Sequence, residues 1–448
     1  MSGAGLGADR RSCLDCRHHP RITTSAPTGL KNPDRSTTFT KLPSSGEPTL
    51  KTTNRRSLLL LFLTLVVVMM GFGMVIPLLG FYVDHFGAGG WALGLLMSSY
   101  AVMQFIFSPI WGSLSDRYGR KPILALGILG NALAQLLFCM ATQLWMLFAA
   151  RILAGVLSSA TLPTTLAYIG DVTSEDERGG GMGVLGAAMG IGMVIGPGLG
   201  GLLAAESLST PFFLAAALSL AAFLLLLAFL PESLHPDQRK AGVLLRGPQW
   251  REMGQALLGP LGAPLLLAGI MSFGLTNFEG VFSLYALQRY GYGPERVGFI
   301  LMLIGLTSAV MQGGLTGILS RSVGEVWILR GSLLTSGLGF LAMTRAQRYT
   351  EVILATLFFV LGNALLRPAL ASLISKRTTS GQGMAMGLNN AFMSLGRILG
   401  PAWAGAAFDW GIQIPYYSGA IIMGFGLLIS LRWMEPRQAA AAESPPAA

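Results

Sequence analysis

The chain has 448 residues, 52% hydrophobic and 12% charged, with a net charge of +10 and a mean hydropathy of +0.58. Soluble domains carry about 25% charged residues; half that share leaves too little polar surface to clothe a water-soluble body of this size, so an ordinary cytosolic enzyme is excluded. The cations do not form one patch, which argues against nucleic-acid binding.

Residues 1–56 hold 10 Lys or Arg against 4 Asp or Glu, more than half of the net charge. The segment is rich in Ser, Thr, Pro and Arg and has no apolar run, so a disordered basic tail is expected rather than a secretory signal. An organelle transit peptide and a mis-assigned start are the competing readings. Cys13 and Cys16, with His18 and His19, supply at most half of a zinc ligand set, so neither metal nor cofactor is expected.

From Ser57 to Trp433 the chain is a succession of apolar stretches, each about 20 residues long, which is the length that crosses a bilayer core as a helix. They fall near 57–82, 91–113, 122–141, 144–166, 179–204, 211–230, 263–287, 295–319, 325–344, 350–373, 383–407 and 413–433. None alternates with period two, so helices rather than barrel strands are predicted. The hydrophilic stretch 231–262 divides six spans from six. The expected domains are therefore the tail, a bundle at 57–230, a cytoplasmic loop at 231–262, a second bundle at 263–434 and a disordered tail at 435–448. With the N-terminus inside, 23 Lys or Arg lie on the cytoplasmic side and four, Arg289, Arg296, Arg345 and Arg348, on the other. The positive-inside rule then puts both termini in the cytoplasm.

The two halves read as a duplication. Residues 182–201, MGVLGAAMGIGMVIGPGLGG, align without a gap to 386–405, MGLNNAFMSLGRILGPAWAG, at an offset of 204; Gly94 pairs with Gly298 at the same offset and Pro163 with Pro368 at 205. Parallel repeats of this kind belong to secondary transporters.

Between the second and third spans the chain reads Gly112-Ser-Leu-Ser-Asp116-Arg117-Tyr118-Gly119-Arg120-Lys121-Pro122. This resembles the GxxxDRxGRKP signature of the major facilitator superfamily, in the loop and on the side where the family carries it. The resemblance, which covers about 57–435, implies an all-α membrane fold of two pseudo-symmetric six-helix bundles. It further implies that Asp116 and Arg120 latch one face shut, with Asp116 against the start of span 11. Physically, Gly112 is expected to permit close helix approach and Gly119 a tight turn. Asp171, after span 4, resembles the acid that completes this charge relay; a solvated cluster with Glu175, Asp176 and Glu177 is the bland reading. In the second copy Arg321 and Glu325 stand where the first has Asp116 and Arg120, so a simpler local pair, or a partner for the loop between spans 4 and 5, is expected there.

Arg151 matches the family's intramembrane RxxxG motif, which the resemblance links to proton coupling; a structural cation bonded to carbonyls is the alternative. Span 5 carries Gly183, Gly192, Gly196, Pro197, Gly200 and Gly201, a pattern that resembles the antiporter, drug-exporting branch. Generic small-residue packing is the bland alternative. Glu279 is the acid placed well inside a span, and is expected to carry the coupling proton unless it merely pairs with Arg289 or Arg397. Gln104, Asn277 and Arg397 are candidate cavity residues, and Arg367-Pro368 reads as a kink. Tetracycline exporters, which the chain otherwise resembles, carry an acid in the first span; here GFGMVIPLLGFYVD has none before Asp84. Either Glu279 or Asp84 substitutes, or the protein is a uniporter.

The reading is a twelve-span carrier that exports small amphipathic molecules by alternating access with proton antiport, a monomer whose partners are substrate, protons and lipid. Import or exchange of an organic anion using Arg397 and Arg151 is the alternative, and a non-transporting receptor or scaffold the rival of another class. With no nucleotide-binding loop, HExxH or nucleophile with its base, an enzyme is the least expected class.

Overall fold

The computed structural model describes residues 50–174, 177–239, 250–315, 319, 322–378 and 381–434. Most of the tail with Cys13 and Cys16, the residues Glu175, Asp176 and Arg321, and the C-terminal segment lie outside these. Twelve long helices follow in chain order: α1 (Leu50–His85), α2 (Gly90–Tyr118), α3 (Arg120–Cys139), α4 (Leu144–Val172), α5 (Arg178–Ala204) and α6 (Thr210–Phe229) form the first half. The second half comprises α7 (Gly262–Tyr290), α8 (Pro294–Val310), α9 (Glu325–Arg345), α10 (Tyr349–Arg377), α11 (Gln382–Trp410) and α12 (Ile414–Trp433). Among the described residues, eleven helices are long and apolar enough to cross a membrane. Helix α11 spans 29 residues, as α10 does, but Gln382, Asn389, Asn390, Ser394 and Arg397 lower its hydropathy.

Two local departures from α-helix have identifiable causes. Helix α4 is interrupted by a 3-10 turn at Ser158–Ala160, because Pro163 has no N–H for the Ser159 carbonyl. Ser158 and Ser159 return their hydroxyls to the Ala154 and Val156 carbonyls at 2.8 and 2.9 Å. Beyond α8 a π-turn, Met311–Leu315, contains the pair Gly313-Gly314.

Packing repeats between the halves. In the first, α1 lies on α5 and α6, α3 on α6 and α2 on α4; in the second, α7 lies on α11 and α12, α9 on α12 and α8 on α10. The halves meet along α2 with α11, α5 with α8, and α1 with α7. These are two six-helix bundles related by an approximate twofold.

The offset of 204 is realised in space. A Cβ on Gly298 would come within 2.5 Å of the Pro197 carbonyl and 2.8 Å of Gly201 Cα, while one on Gly94 would strike the Pro401 carbonyl and approach Gly405 Cα at 3.0 Å. Each half thus presents the same glycine to the same proline turn of the other, and both approaches require a missing side chain.

These seams close one end of the molecule, called here the far face; the other end, which bears Asp116 to Lys121, is the motif face. A single buried core runs through both halves toward the far face, uniting Leu79, Leu93 and Phe138 with Phe282, Val297 and Phe408. Toward the motif face it continues within the second bundle to Val326, Leu373 and Met434, while separate clusters gather around Leu61, Leu124 and Leu226 and around Leu265, Ile374 and Leu388. Gly183 and Gly186 of α5 and Gly383 and Gly387 of α11 have nothing within 4 Å of a built Cβ. The cleft between the bundles is open at the motif face and sealed at the far face.

Between the halves a short helix, Trp250–Leu257, buries Met253 among Leu265, Ile374 and Ala385. Its Trp250 ring meets Phe105 of α2 edge-on at 5.6 Å. The connecting loop thereby touches both bundles at the open end.

Candidate functional site: the cleft and its two ends

At the motif face Gly119 turns the chain from α2 into α3 with φ of +107°, where an L side chain is strained. The turn buries Arg120, whose Nη1 pairs with Asp116 and donates to Ser115 Oγ at 2.7 Å, while its Nε reaches Asp171 Oδ2 at 3.0 Å. Asp116, Arg120 and Asp171 are therefore brought together, and Ser233 Oγ donates to Asp171 at 3.0 Å. Arg117 lies exposed over the Tyr118 ring, and Lys121 donates to the Leu227 carbonyl at 2.8 Å.

Glu232 escaped the sequence reading. Its carboxylate accepts from the N–H groups of Arg120 and Lys121 at 2.7 and 3.2 Å and so caps α3. A Cβ on Gly119 would lie 2.9 Å from its Cδ. The signal was an acid directly after Pro231, where α6 has just ended. In the second copy Glu325 pairs with Lys376 and accepts from Ser372 at 3.0 Å; Arg321, its expected partner, lies outside the described residues.

Two glycine expectations need correction. A Cβ on Gly112 would meet only Pro163, at 3.8 Å, and one on Gly183 would meet nothing within 4 Å. Neither is needed for close approach here, because both lie where the bundles are parted. Gly192, Gly196 and Gly200 instead press on Met69, Gly73 and Met74 of α1, and Gly201 on Gly298.

At the far face Asp409, the penultimate residue of α11, crosses to the other bundle. Its two oxygens accept from the N–H groups of Gly90 at 2.6 Å and Trp91 at 2.9 Å, the first turn of α2. A Cβ on Gly89 would stand 2.8 Å from Asp409 Oδ1.

At mid-depth, Arg151 of α4 is 3% exposed and, among the described residues, has no ion pair; its guanidinium lies over the rings of Tyr100 (5.5 Å) and Phe138 (5.9 Å). Its Nε has no hydrogen-bond partner, which sets aside the bland reading in which carbonyls satisfy it fully. Gln104 Nε2 donates to Tyr100 Oη at 3.3 Å. These side chains line a cavity of about 50 Å³ among α1 to α4, with Asn131, Gln135 and Ser159.

Arg397 is exposed to the cleft and, among the described residues, bonds Ser394 Oγ at 3.1 Å on its own helix, although it and Arg151 both lie within electrostatic range of Tyr100. Glu279 sits one turn before Ser283, which abuts Gly80 of α1, so it is on the side of α7 that faces the other bundle. Among the described residues it has no ion pair, neither with Arg397 nor with Arg289. Arg289 is engaged by the Thr344 carbonyl at 3.1 Å and the rings of Tyr285 and Tyr290. Asn277 is a further correction: it is fully buried and donates to the Pro415 carbonyl at 2.8 Å, facing α12 rather than the cleft. Two residues along α7 from Glu279, it points about 160° away.

Two bundles with an approximate twofold, a cleft open at one end and gates at both define a multi-pass membrane carrier. The family description "Major Facilitator Superfamily" matches residues 61–325 and 314–448. Multidrug resistance protein 2 of Bacillus subtilis is 31% identical over 386 residues, 86% of this chain and 96% of that protein. Quinolone resistance protein NorA of Staphylococcus aureus is 28% identical over 380 residues, covering 84% and 96%. The chain belongs to the major facilitator superfamily and is a transmembrane transporter of small molecules. Among solved structures, a bacterial homolog of the human lysosomal transporter Spinster, inward-facing and occupied, shares the fold with a TM-score of 0.72 at 13% identity, covering 86% of this chain and 97% of that one. The human organic anion transporter MFSD10 gives 0.60 at 23%, covering 86% and 100%.

Proposed function

We propose that the chain exports small amphipathic molecules in exchange for protons, as a monomer in a cell membrane with both termini cytoplasmic. The observation that supports this most is Glu279, an intramembrane carboxylate on the cleft side of α7 that has no ion pair among the described residues. A lone acid in low dielectric takes up and releases a proton far more readily than one held by a cation. The 31% identical relative is named for multidrug resistance, which accords with export.

In the state described, the motif face is open; by the positive-inside rule that face is cytoplasmic. Substrate enters there, displaces the Glu279 proton to the cytoplasm, and the bundles rock about the seams until the far face parts. A proton from outside then reloads Glu279 and returns the carrier. The charge set Asp116, Arg120 and Asp171 holds the motif-face loops rigid so that they close as one body. The Met, Phe and Leu side chains of the cleft accept apolar bodies without tight geometry.

The test is dye efflux from proteoliposomes under an imposed pH gradient. Gradient-driven export lost in Glu279→Gln, with dye binding retained, is the expected result. Export indifferent to the gradient would remove the antiport assignment, and full gradient-driven export by the variant would remove Glu279 from it.

A further inference from the structure

From the cavity inside the first bundle we infer a subsite for an acidic group: a carboxylate carried on an otherwise apolar ligand seats against Arg151, with Tyr100 Oη and Gln104 beside it. The inference rests on the export reading only in taking the cleft as the place where substrate sits.

Three observations carry it. Arg151 is a fork of donors that is 3% exposed, and its Nε is unpartnered. Among the described residues this buried guanidinium is held by two aromatic faces, which leaves it under-satisfied, because ring quadrupoles replace a small part of its lost hydration. The side chain also borders a cavity rather than packed carbons. That space, about 50 Å³, is larger than a water needs and far smaller than a drug-sized site, so it fits the head of a ligand and not its body. Finally, among the described residues no Asp or Glu lines it. The remaining polar lining is amide and hydroxyl, and the other wall is apolar through Met69, Phe72 and Leu162. A planar carboxylate matches the guanidinium fork in two parallel hydrogen bonds, while the ligand's body extends along Phe72 toward the cleft.

Glu279 stands on the opposite bundle and is assigned the proton, so the two charges divide the work. The subsite decides which ligand is held, and the acid decides when. A neutral ligand of the same shape loses only the Arg151 contact.

The experiment uses the purified full chain without a pH gradient and a matched pair of probes, dansylglycine and its uncharged amide, whose fluorescence reports binding. The acid is expected to bind about tenfold or more tightly than the amide, about 1.4 kcal/mol. Arg151→Gln is expected to bring the ratio close to one while amide affinity stays within about twofold. Equal affinity of both probes for the unaltered protein would overturn the subsite. So would a variant that weakens both probes alike, since that is the mark of a structural cation. If Arg151→Gln does not fold, Gln104→Glu decides, because it places a fixed carboxylate beside the guanidinium. Loss of acid preference with amide binding intact supports the subsite, and an undiminished preference overturns it. These ratios are independent of coupling: gradient-indifferent export would sink the antiport reading and leave the subsite standing.

Discussion

Arg120 shows how one side chain organises the motif face. It is 7% exposed, and a single planar group serves Asp116, Asp171 and Ser115 at once. Lysine keeps the charge but offers one compact ammonium on a thinner stem, which cannot span acceptors on α2 and α4 together. Both carboxylates are part-exposed, so the energetic loss is set at about 1 kcal/mol rather than the full value of a charged hydrogen bond. The mechanical loss is greater, because the loop would no longer be tied to α4. Arg120→Lys is expected to lower transport tenfold or more. Arg117→Lys, at an exposed side chain over Tyr118, should stay within about twofold. Uptake of dye into inverted vesicles measures both, and equal sensitivity would show that charge alone matters in this loop.

At the scale of helices, the twelve spans, their grouping and the repeat were legible because each rests on a local signal: apolar length, a hydrophilic gap and a constant offset. What the repeat meant in three dimensions was less visible. The sequence aligned Gly94 with Gly298, but only packing shows that each meets the other half's proline turn. Asn277 and Glu232 mark the limit from the other side. A polar residue in a span has no sequence mark for which neighbour it faces, and an acid in a loop none for the helix it caps. The glycines also separate by state. Gly94 and Gly298 meet backbone, which cannot yield, so Gly298→Val is expected to lower the thermal midpoint in detergent by several degrees and to abolish transport. Gly183 meets nothing within 4 Å, and replacing a helical Gly by Ala gains about 0.5–1 kcal/mol. Yet alternating access requires this part of α5 to approach α8 when the motif face closes. Gly183→Leu should therefore raise the thermal midpoint while slowing transport, and a fall in both would show that this stretch is already packed.

For the whole molecule, the two seams at the far face are equal in shape but unequal in charge. Asp409 caps α2 across one seam, with hydrogen bonds of 2.6 and 2.9 Å to Gly90 and Trp91. At an offset of 204 the other seam has Ala205 and Pro294. Proline at the first position of α8 lacks the N–H that Gly90 offers on α2, so the cross-seam cap has no counterpart there, and the acid in the first turn of α8 is its own Glu295. The cap exists only while α2 and α11 are in contact at the far face, and it must break when that face opens. It therefore biases the equilibrium toward the state described, by about 1 kcal/mol for a carboxylate at a helix start, roughly fivefold in population. Asp409→Asn retains an acceptor of similar shape but removes the charge. Spin labels on the far ends of α2 and α11, with a second pair on their motif ends, report the balance directly. The variant is expected to populate distances with the far ends apart and the motif ends together, several-fold more than the unaltered chain. Identical distributions would mean that the glycine seams alone hold the far face shut and that the carboxylate merely satisfies two stray N–H groups.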